Sequence, residues 1–143
     1  MDIIKIEKDK EKAKSLMKLA ELRHKKISSF DEEEESSLIC EAYYEVCKEL
    51  ITAILFCDGY KNLSHKTLLE YLKKNYLEIS IDEIELLDDL RKRRNKLVYY
   101  GIFQPSFYIK KNKNQIEKII IKLKQILQNL SNIVETKRPE DII

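Results

Sequence analysis

Hydrophobic and polar positions follow a helical period along most of this chain. Ala13, Leu16, Met17, Ala20 and Ile27 fall at helical spacing and predict a first helix over about residues 5–26. A second stripe, Ile39, Tyr43, Val46, Leu50, Ala53, Ile54 and Cys57, predicts a helix over about 30–57, closed by Asp58-Gly59 as a left-handed cap. Ser29-Phe30-Asp31-Glu32 resembles a capping box at its start. The acidic run 31–35 then reads as a solvated first turn, where the helix dipole favours negative charge. Residues 60–66 form a polar connection, and Ser64 caps a short helix through Leu68, Leu69 and Leu72.

A further helix is expected from Ser80-Ile81-Asp82-Glu83, again with capping-box spacing, toward Tyr99; Gly101 ends it and Pro105 marks a loop. The last helix, about 112–135, is the most regular: Ile116, Ile120, Leu123, Leu127, Leu130 and Val134 alternate steps of four and three, widened by Ile119, Ile126 and Ile133. A stripe that wide suits a bundle core, and the tail from Thr136, with Pro139, is expected to fray. The pattern as a whole predicts an all-α fold, an antiparallel four-helix bundle with an additional short helix, in a single domain over 1–143.

Composition narrows this picture. A chain of 143 residues fits one domain and can bury a core without disulfide or metal. With 2 Gly, 2 Pro and 36% charged residues it lacks the turns of a β-sandwich or barrel and the Gly-rich loop of a Rossmann or P-loop fold. A net charge of +2 predicts no general affinity for nucleic acid or anionic membrane, so any basic site must be local. The local extreme is Arg91-Lys92-Arg93-Arg94. Lys5, Glu7, Lys8 and Asp9 interrupt any signal-peptide stretch, and the apolar run 50–57 falls far short of the ~20 residues a membrane span needs. A cytoplasmic protein with no membrane partner is therefore expected. Cys40, Cys47 and Cys57 lie in one predicted helix and read as buried free thiols in a reducing cytosol. No metal or cofactor is expected, since no His or Cys is placed to build a zinc site.

One residue breaks the pattern. With Leu87 at zero on the helix ending at Gly101, Leu90, Leu97 and Val98 lie within about 80° of it, and Arg94 falls in the middle of that arc. A guanidinium on a core-directed face must be paired, or the face must open into a cleft or subunit interface. Two readings stay open. In the first, Arg94 is structural and pairs with Glu45 or Glu49 of the second helix. In the second, Arg94 belongs to a phosphate site, with Arg91, Asn95 and Tyr99 in a column along the edge of the same face. His24, in phase with Ala13 and Ala20, reads as a partly buried structural residue. His65 reads as a cap or packing residue, catalytic only if the fold carries it to Arg94. Tyr43, Tyr44, Tyr99, Tyr100 and Tyr108 read as packing at wet edges, with base stacking as the other use. Lys110, Lys111 and Lys113 read as a solvated turn before the last helix.

Arg94-Asn95-Lys96-Leu97-Val98-Tyr99-Tyr100-Gly101 resembles the late-helix motif of HEPN domains, small helical bundles widespread in archaea and bacteria. Their signature is an Arg, four to six residues, then a His, often with a polar residue directly after the Arg. The order of elements, including the Ser64-His65-Lys66 turn that opens the short helix, is similar across nearly the whole chain. The resemblance implies a homodimer through the motif helix around a shared cleft. It implies an RNA- or nucleotide-interacting module, and a minimal nucleotidyltransferase antitoxin as a partner in a toxin–antitoxin or defence system. It also implies, as an alternative, a metal-independent endoribonuclease. Carried over by position, Arg94 takes the Arg, Asn95 the polar residue, and Tyr99 or Tyr100 the His. Arg91, Arg94 and Tyr100 are then candidate phosphate contacts, and Arg94, Asn95 and Tyr99 candidate catalytic residues.

The departure matters chemically. His titrates near neutrality and can take or give a proton, whereas a Tyr of pKa about 10 is a poor base at pH 7. General acid–base catalysis contributes about 10²–10⁴-fold. Tyr in place of His therefore favours a binding module over a fast nuclease.

Overall fold

The computed structural model describes the backbone of residues 3–135 and side chains to Leu130; the tail from Thr136 and the side chains of Ile133 and Val134 lie outside the described residues. The chain order is β1 (Ile3–Lys5), α1 (Lys10–Ile27), α2 (Ser36–Asp58), β2 (Tyr60–Asn62), α3 (His65–Asn75), α4 (Ile81–Tyr100) and α5 (Ser106–Glu135). The all-α expectation holds in its coarse form, with four long helices, one short one and a small two-stranded sheet.

Helix α2 is the axis of the molecule. Its buried residues, among them Ile39, Cys40, Tyr43, Tyr44, Val46, Cys47, Leu50, Ile51, Ile54 and Leu55, cover most of the helix and leave one side, with Glu41, Glu45, Lys48 and Thr52, half-covered. A helix with so broad an apolar face needs cover from several elements, and α1, α3, α4, α5 and β2 all pack on α2. The other helices are amphipathic. Helix α1 buries Ala13, Ala20 and Ile27, and the two alanines let it approach α2 closely. Helix α5 lays Ile109, Ile116, Ile119, Ile120, Leu123, Ile126 and Leu127 into the core. Helix α4 buries only Leu87 and Leu90, near its middle. The three cysteines are buried and free, and burial holds the Cys40 and Cys47 thiols up at about 12. No helix among the described residues is long and apolar enough to cross a membrane.

Four local expectations change. The first helix begins at Lys10, because Ile3–Lys5 instead pairs antiparallel with Tyr60–Asn62, Ile3 opposite Asn62 and Lys5 opposite Tyr60. Asp9 then caps α1 by accepting from the Lys12 backbone N–H at 3.0 Å. The second helix begins at Ser36 rather than near 30. The Ser29 hydroxyl donates back to the Lys26 carbonyl at 2.6 Å, and Asp31 and Glu35 close a turn of their own, so the capping box does not form. The polar connection 60–66 contains the strand β2. The last helix starts at Ser106, six residues before the expected 112, because Tyr108 and Ile109 extend the buried stripe one turn back and Pro105 sits just ahead of the first turn. Lys110 and Lys113 are thus helical, and they pair with Glu33 and Glu32 of the acidic turn. That acidic run is a solvated turn paired with the start of α5, not a helix start.

The predicted caps of α4 are present: Ser80 and Glu83 form a reciprocal capping box, and Gly101 takes φ +65. Gly59 takes φ +89 and has a second constraint, since the Ile6 carbonyl lies 3.1 Å from where a Cβ would stand. That carbonyl belongs to the segment whose N–H groups bond to α2's end, Ile6 to Gly59 at 2.9 Å and Asp9 to Phe56 at 3.0 Å. Nothing stands within 4 Å of a Cβ on Gly101. Gly101→Ala is therefore expected to cost only the left-handed backbone penalty, about 1–2 kcal/mol. Gly59→Ala is expected to cost more, because β1 must also move. Urea denaturation midpoints of the two variants check the order.

Candidate functional site

Three elements bring charge and aromatic groups together where α4 crosses α2. Helix α2 contributes Tyr44, Glu45 and Lys48, which share one side at i, i+1 and i+4. Helix α3 contributes its first residue, His65. Helix α4 contributes Arg91, Arg94 and Asn95. Of these, sequence reasoning had singled out Arg91, Arg94 and Asn95, with Glu45 as a pairing partner, Tyr44 as a packing or stacking residue and His65 as catalytic only if close to Arg94; Lys48 was missed, although its place one turn from Glu45 was visible.

Arg94 keeps its charge while nearly buried, with 13% of its side chain exposed. One terminal nitrogen donates to Glu45 Oε1 at 3.0 Å and the other to Asn95 Oδ1 at 3.2 Å. Its guanidinium carbon lies 5.4 Å from the centre of the Tyr44 ring, a cation–π contact, and its buried Nε has no partner. The pairing with Glu45 is the one the structural reading required. Glu45 Oε2 in turn accepts from Lys48 at 2.7 Å. Burial pushes the Glu45 carboxyl up, but the Lys48 hydrogen bond and the Lys48 and Arg94 charges outweigh it and hold the group below its ordinary value. Arg91 bonds Asp88 through two nitrogens at 3.0 and 2.9 Å, and Asp88 also holds Lys92 at 3.2 Å.

His65 does reach this cluster. Its ring centre lies 6.1 Å from that of Tyr44, so Arg94 and His65 share one tyrosine as neighbour. Burial, and then the Lys48 and Arg94 charges, depress its pKa below the usual 6.5. Tyr44 is pushed up to about 12, by burial against the opposing pull of Arg94 and Arg91, and stays a neutral phenol. The surface here is shallow: the void behind Tyr44 and His65 holds only about 10 Å³.

Tyr99 and Tyr100 lie elsewhere. They are 65% and 77% exposed, and Tyr99 leaves α4 about 140° round from Arg94. With Val98, Ile102, Phe103 and Phe107 they form an exposed apolar run across the end of α4 and the start of α5. The loop that presents it is fixed from below by Gln104. Its carbonyl accepts from the Ser36 hydroxyl and its N–H donates to Ser37, both at 2.7 Å, while its side-chain oxygen accepts from Arg93 at 2.9 Å. Arg93 lies flat on Tyr108 at 3.9 Å. Gln104 is buried, whereas Ile102 and Phe103 just before it are exposed.

His24 is structural as expected, but through a partner the sequence did not reveal. Its Nε2 lies 2.8 Å from Glu117 Oε1, and the buried Tyr43 hydroxyl donates to Glu117 Oε2 at 2.6 Å, tying α1 and α2 to α5. The network lines a cleft of about 510 Å³ that contains none of the motif residues. No group of three or more His, Cys, Asp or Glu among the described residues is arranged to hold a metal ion. Comparison of the chain with protein-family models, curated proteins and solved structures finds no match.

One turn beyond Glu45, Glu49 is the opposite electrostatic case. Its Oε2 accepts from Arg23 at 2.7 Å, its Oε1 is buried without a partner, and burial raises its pKa above the ordinary 4.5 despite Arg23. A lowered carboxyl contributes stability above its unfolded value that is lost as pH falls through the folded one; a raised carboxyl does the reverse. Glu45→Gln is therefore expected to lower the melting temperature at pH 7 by a few degrees, the deficit shrinking below about pH 4.5. Glu49→Gln is expected to raise it at pH 7, the gain shrinking as pH falls toward 4.5. Thermal denaturation from pH 3.5 to 7.5, roughly the span over which carboxyls of this kind titrate, reads both slopes.

Proposed function

We propose that the protein is a HEPN-like module, a four-helix bundle with a short added helix, that binds RNA or a nucleotide and works as a homodimer through α4. The observation that carries this reading is that α4's inward stripe outruns the core. Leu87 and Leu90 are buried; past them the stripe turns into Arg94 and then the exposed Val98, flanked by Tyr99, Tyr100, Ile102 and Phe103. A contiguous exposed apolar patch of this kind marks an interaction surface. Two α4 helices meeting there bring two Arg91–Arg94 clusters to one cleft. Tyr100, Arg91 and Arg94 are then its phosphate contacts. The same patch is the surface that a minimal nucleotidyltransferase antitoxin would cover in a toxin–antitoxin or defence pair.

A metal-independent endoribonuclease is the second reading, with Arg94 on the scissile phosphate, Asn95 positioning it and Tyr99 as proton donor. The Asn95–Arg94 hydrogen bond of 3.2 Å favours it, since it fixes the guanidinium plane.

Sedimentation velocity is expected to give a dimer that Val98→Glu with Phe103→Glu converts to monomer. A persistent dimer would refute the α4 interface. Fluorescence anisotropy with an unstructured RNA oligonucleotide is expected to give an affinity that falls steeply with salt. Arg94→Ala is expected to weaken it about tenfold or more and to reduce the slope of log K against log salt by about 0.7 for the lost phosphate contact. Unchanged affinity in a folded Arg94→Ala variant would leave Arg94 with its structural role alone.

A further inference from the structure

The chain has two histidines, and the fold treats them differently. His24 is held by Glu117, whereas His65 makes no side-chain hydrogen bond among the described residues. The element that carries His65 also places it with care. Ser64 precedes it in an extended conformation at the N-cap, and the Thr67 hydroxyl donates to the Ser64 carbonyl at 2.7 Å, fixing the first turn of α3. Leu68 and Leu72, fully buried, pin that helix to the core. The imidazole is left half-buried beside Tyr44, with free ring nitrogens and Arg94 lying over the same tyrosine ring.

We infer that His65 is the proton acceptor of the Arg94 site, supplying from α3 the imidazole that the end of α4 lacks. The inference rests on the RNA-binding reading above, in its cleaving form. A scissile phosphate sits against the Arg94 nitrogen that otherwise meets only the neutral Asn95, while Glu45 keeps the other nitrogen in place. The ribose on its 3′-linked side extends toward His65. The imidazole takes the proton of the 2′-hydroxyl, the 2′-oxygen forms a bond to phosphorus, and the bond from phosphorus to the 5′-oxygen breaks. That leaving oxygen takes a proton from solvent, and His65 later returns its own proton to solvent. The products are a 2′,3′-cyclic phosphate and a 5′-hydroxyl, with no net oxidation and no metal in the balance.

The groups facing His65 suit a base. From α2 come Tyr44, Glu45, Cys47 and Lys48, and from α4 Arg91 and Arg94. The ring's burial, with the cations Lys48, Arg94 and Arg91, outweighs Glu45, and the imidazole is neutral at pH 7. Tyr99, on the far side of α4, has no such setting.

The test uses the full chain in chelator and an unstructured RNA oligonucleotide, with affinity and cleavage measured separately. His65→Ala and His65→Asn, each checked for folding by circular dichroism, are expected to lose about 10²–10⁴-fold in cleavage rate. Their RNA affinity is expected to stay within about twofold, as for removal of a group that acts only on the proton. Added imidazole is expected to restore part of the cleavage in His65→Ala, and the acid limb of the pH–rate profile is expected to vanish in both variants. Cleavage at the parent rate in either folded variant overturns the role of His65 and leaves a nuclease that works by another base. RNA binding without cleavage by the parent protein overturns it while leaving the binding module standing. No RNA binding at all overturns both.

Discussion

Burying the broad apolar face of α2 is the constraint from which the rest of this structure follows. Glu49 is buried on that helix and Glu45 and Lys48 stand at the margin of its covered face, so all three need partners at the helix surface. The partners come from other elements: Arg23 of α1 meets Glu49 and Arg94 of α4 meets Glu45. Those two ion pairs add polar links to the apolar packing that seats α1 and α4 on α2. They are also unequal. Glu45 has a cation on each oxygen, while Glu49 has one oxygen buried and bare.

Helix α4 pays the consequence. Its buried leucines end at Leu90, and beyond them it meets α2 and α5 through Arg94 on Glu45 and Arg93 on Tyr108. What should be an inward stripe becomes a guanidinium, then exposed valine and aromatic side chains. The following loop is not slack, because Gln104 is bonded on both backbone sides and through its side chain to Arg93. An apolar patch held that firmly costs solvation free energy in every isolated protomer, roughly 25 cal/mol for each Å² left in water. Burying it against a second surface recovers that cost, and the rigidity of the loop means little ordering entropy is lost in doing so.

Most of the helices were legible because their apolar positions recur at a period that only a helix uses, and the glycines at 59 and 101 stop two of them for a reason visible in the sequence. Arg94 was legible as an anomaly for the same reason: it interrupts a stripe. The strand at Ile3–Lys5 was not, since three residues are too few to show a period and its partner lies far along the chain. The acidic turn looked like a helix start because the capping signal is local, whereas its real partners, Lys110 and Lys113, come from α5. Glu117 is the clearest omission. Its role depends on a histidine and a tyrosine from two other helices, and nothing in the spacing around it points to either partner. The nearness of His65 to Arg94 belongs to the same class, because it depends on how α3 docks.

The structural and the functional accounts of Arg94 do not compete. A guanidinium buried to this extent needs Glu45, and without that partner it could not stand on this face at all. Yet the neighbourhood is not neutral once the pairs are made. Lys48, Arg91, Lys92 and Arg94 are bound by only two carboxylates, Glu45 and Asp88, each shared between two cations. A chain whose overall charge is close to balance thus concentrates an excess of positive charge at one junction of α2 and α4. Such an excess is unfavourable to the isolated fold and favourable to any anion that arrives. Burial is the first cause of the lowered His65 pKa, and the Lys48, Arg94 and Arg91 charges add to it against Glu45. Three of the four cations that would attract an anion here thus also disfavour a positive charge on His65.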